Sequence, residues 1–429
     1  MKKYCVISAP PDTYSGYGAR SRDFIKAIYE LKKDEWDIQV IPQRWGSTPW
    51  GFINDNREEW GWMEPLFLKT PLTRQPDVWF QITVPNEFQT VGKVNIGVTA
   101  GIETTLCDAS WIEGCNRMNV TLVSSRHAKS VFEQSAFTQK DGDRIVREIK
   151  LERPVEVLFE GVDLNKYFHI ADEDLEETDL VLDLDTIQES FCYLFVGHWL
   201  QGDLGEDRKN VGKLIQVFLE TFKGKKTKPA LILKTSNATS CIMDREEILS
   251  RINKIRDFVG GKDLPNIYLV HGEMDDKDLN DLYNHSKVKA MVSFTKGEGY
   301  GRPLAEFCLT KKPVIAPAWS GHTDFLSSEF SILLPGQLTQ MHPSAKVDKM
   351  LLAESGWFTV DYAVAAKELQ NVYESYEKYQ TLGKRQGHKV KTEFSFDNMA
   401  LFLTTYLDKY VPKQVEFKLP QLKKIEISK

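Results

Sequence analysis

Residues 295–326 read TKGEGYGRPLAEFCLTKKPVIAPAWSGHTDFL, and the organisation of the whole chain follows from them. The stretch opens on a glycine-rich loop (Gly297, Gly299, Gly301), enters a helix at Pro303 and leaves it for an apolar strand at 313–317. Proline suits a first helical turn because its missing N–H has no intrahelical partner there. Glu298 therefore falls in the loop, and Glu306, eight positions on, falls inside the helix. Both carboxylates face the helix start, where unpaired N–H groups and the positive dipole end favour a phosphate. Glycines in the loop let a ligand approach the backbone closely. Two acids can also merely cap a helix, but this loop is richer in glycine than capping requires.

Working outward, 429 residues exceed what one hydrophobic core usually supports, so two domains are expected. The chain is 41% hydrophobic and 27% charged, with a net charge of −6. That balance is globular and gives no electrostatic footprint for nonspecific nucleic-acid binding. Six cysteines show no C-x-x-C pair and no metal-ligand spacing, which points to buried thiols in a reducing compartment. The opening MKKYCVISAPP reads as a first strand rather than a signal peptide. No run approaches the roughly 18 apolar residues of a spanning helix. A cytoplasmic protein without a transmembrane segment is the expectation.

The first half reads as strands at 4–9, 38–42, 78–84, 94–99, 119–124 and 155–159. PPDTYSGYGAR forms a glycine loop with Gly16 and Gly18, followed by a helix over 20–31. Strand, glycine loop and helix make the first half of a βαβ unit, although such a loop is also an ordinary turn. Residues 43–64 carry Trp45, Trp50, Trp60 and Trp62 without periodicity, which predicts an ordered loop. Its rings either pack that loop down or stack on sugar faces. Glu103 falls just past a strand end, on the ligand-binding edge of an open parallel sheet. Ser124 or Ser125 caps the next helix. Residues 172–189 hold nine acidic and no basic side chains, a solvated linker or surface insertion.

The second half reads as strands at 191–196, 230–235, 267–271, 290–294 and 314–316. Helices are expected at 211–222, 244–258, 275–286, 361–382 and 396–410. Two strand–helix series predict an α/β protein of two Rossmann-like domains, with a ligand in the cleft between strand ends. The boundaries follow: 1–168, an acidic linker at 169–190, 191–395, and a last helix with a basic tail at 396–429. The tail is either a docking strand or a disordered end.

Arg208 and Lys209 lie in a glycine-containing loop between a strand and a helix, where two cations suit a diphosphate. A charge-assisted hydrogen bond contributes roughly 1.5–3 kcal/mol. A carboxylate at Glu306 suits the paired hydroxyls of a ribose. His322 is a candidate sugar or phosphate contact; His127 and His271 read as structural. P-loop, nucleophile-elbow and zinc-protease motifs are absent from the sequence.

GEGYGRPLAEFCLTKKPVIA resembles the E-x7-E signature of retaining GT-B glycosyltransferases, especially family 4. FVGHWLQGDLGEDRKNVGKLIQVF is similar to that family's phosphate-binding segment, and FEGVDLNKYF to its entry into the interdomain linker. IGVTAGIETT and CNRMNVTLVSSRHAKSVF resemble the same region of bacterial and viral members. The resemblance implies a GT-B fold whose C-terminal helix crosses back onto the first domain. It implies a UDP- or GDP-sugar as donor, with Arg208 and Lys209 on the diphosphate, Glu306 on the ribose and Glu298 on the transferred sugar. Gly299, Tyr300, Gly301 and Arg302 would border the sugar or phosphate, and Gly16 and Gly18 would face the diphosphate from the first domain. Many members carry a histidine where this chain has Glu103, so Glu103, Trp45 and His322 stand as candidate sugar or acceptor contacts.

The implied activity is a hexosyltransferase that retains anomeric configuration and requires no metal or other cofactor. The acceptor class stays open among glycan, lipid-linked sugar, protein and modified nucleic-acid base. A GT-B sugar-nucleotide epimerase and a non-catalytic sugar-nucleotide-binding protein are the alternatives.

Overall fold

The computed structural model describes residues 2–142, 144–202, 204–237 and 240–413; the tail at 414–429 lies outside the described residues. The chain opens with β1 (Lys3–Ala9), α1 (Gly16–Lys32) and β2 (Trp36–Pro42). Two one-turn helices, α2 (Phe52–Asp55) and α3 (Arg57–Trp60), fold the tryptophan-rich segment. Then come β3 (Val78–Ile82), β4 (Val94–Thr99), α4 (Ala109–Arg117), β5 (Val120–Val123) and α5 (Arg126–Gln134). An antiparallel hairpin, β6 (Phe137–Asp141) and β7 (Arg144–Ile149), precedes β8 (Val155–Val157). Six parallel strands form one sheet in the order β2-β1-β3-β4-β5-β8. The central strands are buried on both faces, hence their near-continuous apolar reading.

After α6 (Asp179–Asp185), the second half runs β9 (Cys192–Val196), α7 (Val211–Phe222), β10 (Ala230–Lys234), α8 (Ile242–Val259) and β11 (Ile267–Val270). It continues through α9 (Asp276–Asn284), β12 (Val288–Val292), α10 (Arg302–Cys308), β13 (Val314–Pro317) and β14 (Ile332–Leu334). A hairpin of β15 (Gly336–Gln340) and β16 (Gly356–Val360) leads to α11 (Tyr362–Glu374), α12 (Tyr376–Glu393) and α13 (Phe396–Tyr410). Its sheet is also parallel, ordered β11-β10-β9-β12-β13-β14. α7 buries Leu214, Ile215, Phe218 and Phe222 between β9, α8 and α11. Each such side chain contributes roughly 1.5–3 kcal/mol by leaving water.

The last helix returns to the first half. Met399, Leu403 and Leu407, spaced four apart, form the buried stripe of α13, which packs on α1. Tyr406 donates to the Val157 carbonyl at 2.8 Å, and Tyr410 to the Glu156 carboxylate at 2.7 Å.

Four expectations change. α1 starts at Gly16 rather than at 20, because Ser15 caps it by accepting from the Gly18 N–H at 2.9 Å. That cap and the buried Tyr17, Phe24 and Ile25 outweigh the roughly 1 kcal/mol cost of each helical glycine. The expected helix at 361–382 is two helices, broken at Ser375, whose ψ of 41° leaves the helical region. The acidic stretch is not wholly solvated: Thr178 caps α6, which buries Val181 and Leu184 against α9. Both hairpins were unanticipated, since β6–β7 is almost wholly exposed and carries no apolar alternation.

Candidate active site in the cleft between the sheets

A cavity of about 540 Å³ lies between the two halves, at the C-terminal ends of their strands. The first half contributes Gly16, Tyr17, Trp45, Glu103 and Glu160; the second contributes Arg208, Lys209, Glu298–Arg302 and Glu306. The sequence candidates thus converge, with two exceptions treated below.

The loop between β9 and α7 carries Arg208 and Lys209, and the Lys296 N–H fixes it by donating to the Arg208 carbonyl at 2.7 Å. Neither of the two cations expected to suit a diphosphate stands free. Lys209 Nζ is paired with Glu298 Oε1, and Arg208 Nη1 lies 3.5 Å from Glu298 Oε2 and 3.1 Å from Glu103 Oε1. All four side chains are less than one-third exposed. Burial alone would raise the Glu298 carboxyl; the charges of Lys209 and Arg208 outweigh it and hold the group at about 2. Two cations and two carboxylates therefore neutralise one another across the cleft.

Glu306 sits in opposite surroundings. It is buried, and Arg302 Nε and the Tyr283 hydroxyl each approach it only to 3.5 Å. Burial, with Asp276, Asp23 and Glu160 nearby, pushes it up to about 7 despite Arg302. Arg302 is committed elsewhere, 2.6 Å from Asp23 on α1 and 3.5 Å from Glu160. Lys166 and Tyr167 reach Asp276 at 2.6 and 2.7 Å, a second link between the halves.

The glycines of the 297–301 loop serve an approach the sequence did not name. A Cβ on Gly297 would lie 1.8 Å from the Glu103 carbonyl oxygen, and one on Gly299 2.4 Å from that of Ala100. The first half's backbone therefore presses directly on this loop. Ser124, displaced as a cap by Ser125, donates to the Gly299 carbonyl at 3.0 Å and seals the same contact.

The exceptions are Gly18 and His322. A Cβ on Gly18 would lie 2.2 Å from the Thr13 carbonyl oxygen, so that glycine is needed for packing beside the loop; Gly16 alone of the pair borders the cavity, with open space around it. His322 is fully buried beneath the glycine loop, its Nε2–H donating to the Pro317 carbonyl at 2.7 Å, and is outside the cavity lining. Trp45 stacks on Tyr17 with ring centroids 3.9 Å apart and walls the cavity. Trp60 is instead core, and Trp50 is exposed beneath Arg44.

Sequence reasoning missed Tyr17, His198, Asp276 and Met350. Tyr17 is anchored by Thr99 at 2.8 Å, and His198 Nδ1 lies 2.9 Å from the Asn237 carbonyl. Met350 reaches the cavity from the β15–β16 excursion, whose Gly356 exchanges hydrogen bonds of 2.8 and 2.9 Å with Thr105. A histidine directly after the β9 glycine was the one readable signal; the others depend on tertiary approach. No group of metal-ligating side chains occurs among the described residues.

No family model matches the sequence, and no curated protein matches it either. Solved structures do. A glycosyltransferase from Rickettsia africae superposes with a TM-score of 0.65 at 12% identity, covering 96% of this chain and 100% of its own. Sucrose-phosphate synthase from Thermosynechococcus elongatus gives 0.60 at 12% identity over 95% of this chain and 99% of its own. HepE from Anabaena, in complex with UDP-glucose, gives 0.59 at 12% identity over 95% and 100%. The fold is GT-B. Within it, Arg208, Lys209, Glu298 and Glu306 occupy the cleft between the two sheets. Among the described residues no helix is long and apolar enough to cross a membrane.

Proposed function

We propose that this protein is a retaining, family-4-like hexosyltransferase that moves a sugar from a UDP- or GDP-sugar to an acceptor hydroxyl without a metal. The observation that carries the reading is the convergence of Arg208, Lys209, Glu298 and Glu306 on one cleft cavity large enough for a nucleotide sugar. UDP-glucose in the similarly folded HepE supports a nucleotide-sugar donor. Residues 1–168 take the acceptor and 191–395 the donor; five buried thiols accord with a cytoplasmic enzyme.

In this reading the diphosphate enters opposite Gly16 and draws Arg208 and Lys209 away from the carboxylates that hold them. Those cations stabilise the charge that develops on the leaving phosphate. Glu298, kept ionised, accepts hydroxyls of the transferred sugar. Glu306 accepts both ribose hydroxyls once deprotonated. A departing phosphate oxygen takes the acceptor proton on the face from which it leaves, so configuration is retained. The contacts of Gly297 and Gly299 with the first half exclude water from the reacting centre.

The test is product analysis of purified protein supplied with UDP- and GDP-sugars and an acceptor library, with and without excess chelator. Transfer with retained configuration, undiminished by chelator, is the expected result. An epimerised or free sugar formed without acceptor overturns transfer, and abolition by chelator overturns the metal-free mechanism.

A further inference from the structure

Beside the donor cleft lies a second cavity, about 820 Å³ in volume, with Trp45 as a wall of both. It lies against the C-terminal ends of β1, β2 and β3, on the sheet face presented by Ser8, Trp79, Gln81 and Thr83. Around Trp79 the covering apolar groups come from Ile41, Leu72 and Val91, on strand and loops rather than a helix.

Amides, hydroxyls and indoles dominate the lining. Gln81 donates to the Glu87 carbonyl at 3.0 Å and accepts from the Gln89 N–H at 2.8 Å, and Thr83 donates to the Glu87 carboxylate. These bonds fix the 85–89 loop as a preformed wall. The side-chain amides of Gln43 and Gln89 are engaged by no described residue. The buried indole N–H of Trp79 has no acceptor, although a buried tryptophan N–H usually finds one. That nitrogen has no surface open to the cavity, which Trp79 borders through its other atoms.

Two of the three charged groups in the lining are already hydrogen-bonded within the protein. Arg117 donates to the Phe88 and Asn86 carbonyls at 2.8 and 2.9 Å, Arg44 lies over the Trp50 ring, and Glu87 holds Thr83. A phosphate or nucleic acid would find one uncommitted guanidinium here, that of Arg44. A polyisoprenyl chain would need an apolar trough, and this lining is predominantly polar. Hydroxyl-rich rings match amides and indole faces.

We propose that this cavity binds the inner residues of an uncharged oligosaccharide acceptor, whose terminal sugar passes Trp45 to reach the donor. The proposal rests on the glycosyltransferase reading above. It selects carbohydrate from the acceptor classes that the sequence left open.

The test titrates the full chain, without donor, with maltotriose, cellotriose, chitotriose, mannotriose and their monosaccharides, followed by calorimetry. UDP- and GDP-sugar binding is measured separately. At least one trisaccharide is expected to bind tenfold or more tightly than its monosaccharide. Gln43→Ala and Gln89→Ala each alter only an exposed side chain of the lining. Each should weaken the trisaccharide at least fivefold and leave donor affinity unchanged. Donor binding with no trisaccharide binding overturns the acceptor proposal alone, as does tighter binding of phosphorylated sugars or an oligonucleotide. Wild-type trisaccharide affinity in both variants overturns it too. Trisaccharide binding without any donor binding keeps the carbohydrate site and overturns the transferase reading.

Discussion

Glu298 and Glu306 stand at the two ends of one loop–helix segment, yet their surroundings shift them in opposite directions from the ordinary carboxylate value. Lys209 and Arg208 hold the first at about 2, while burial among Asp276, Asp23 and Glu160 lifts the second to about 7. The difference lies in what the neighbouring loops bring. The β9–α7 loop delivers two cations to Glu298, whereas Arg302, the cation nearest Glu306, is drawn off to Asp23. Eight positions of sequence separate a fixed anion from a group that titrates near neutrality. One stays ionised down to about pH 2; the other gains its charge only as pH rises through about 7.

The comparison breaks most visibly at Lys209. Lys209→Ala should lower kcat by about 10²–10³, the cost of losing one preorganised donor to a developing oxyanion. Loss confined to donor KM, with kcat intact, would place the lysine in uniform binding instead.

The other end is sharpened by pH. The folded-state carboxyl of Glu306 lies above its ordinary value, so its contribution is intact below about 4.5 and is lost as pH rises through about 7. Relative to Glu306→Gln, the unliganded protein should lose up to ~3 kcal/mol of stability between pH 4.5 and 8. Urea midpoints of both proteins at those two pH values measure it; a difference independent of pH contradicts the assigned surroundings. Glu298 has the opposite sign, its contribution present above about 4.5 and lost as pH falls through about 2.

A smaller effect concerns what holds the two ends in place. Gly297→Ala drives a methyl into the Glu103 carbonyl and should destabilise the protein by about 1–3 kcal/mol, while displacing Glu103 from Arg208. Equal thermal midpoints for variant and wild type would show that the halves do not press together here.

Much of this was legible before the structure. The strand at 94–99 and the helix at 211–222 have the bounds that their apolar patterns predict, because both are buried elements with strong periodicity. Arg208, Lys209, Glu298 and Glu306 were readable because charge beside glycine, at a strand end, is unusual enough to carry meaning. Their pairing was not, since Glu103 joins them only through the fold. Gly16 and Gly18 misled for a local reason: glycine reads as loop, and the Ser15 cap that starts α1 there is a single hydrogen bond. His322, a candidate sugar or phosphate contact by sequence, is buried under the loop it follows. Met350 arrives from an excursion whose first strand, β15, is almost wholly exposed and leaves no apolar stripe.

The central claim is that this cleft binds a nucleotide-diphosphate sugar through Glu306. Isothermal titration of UDP- and GDP-sugars into wild type and Glu306→Ala at pH 8 tests it most directly. The account predicts that at least one donor binds the wild type and binds the variant at least tenfold more weakly. Equal affinity in the two proteins, or no binding of any nucleotide sugar to the wild type, would contradict it.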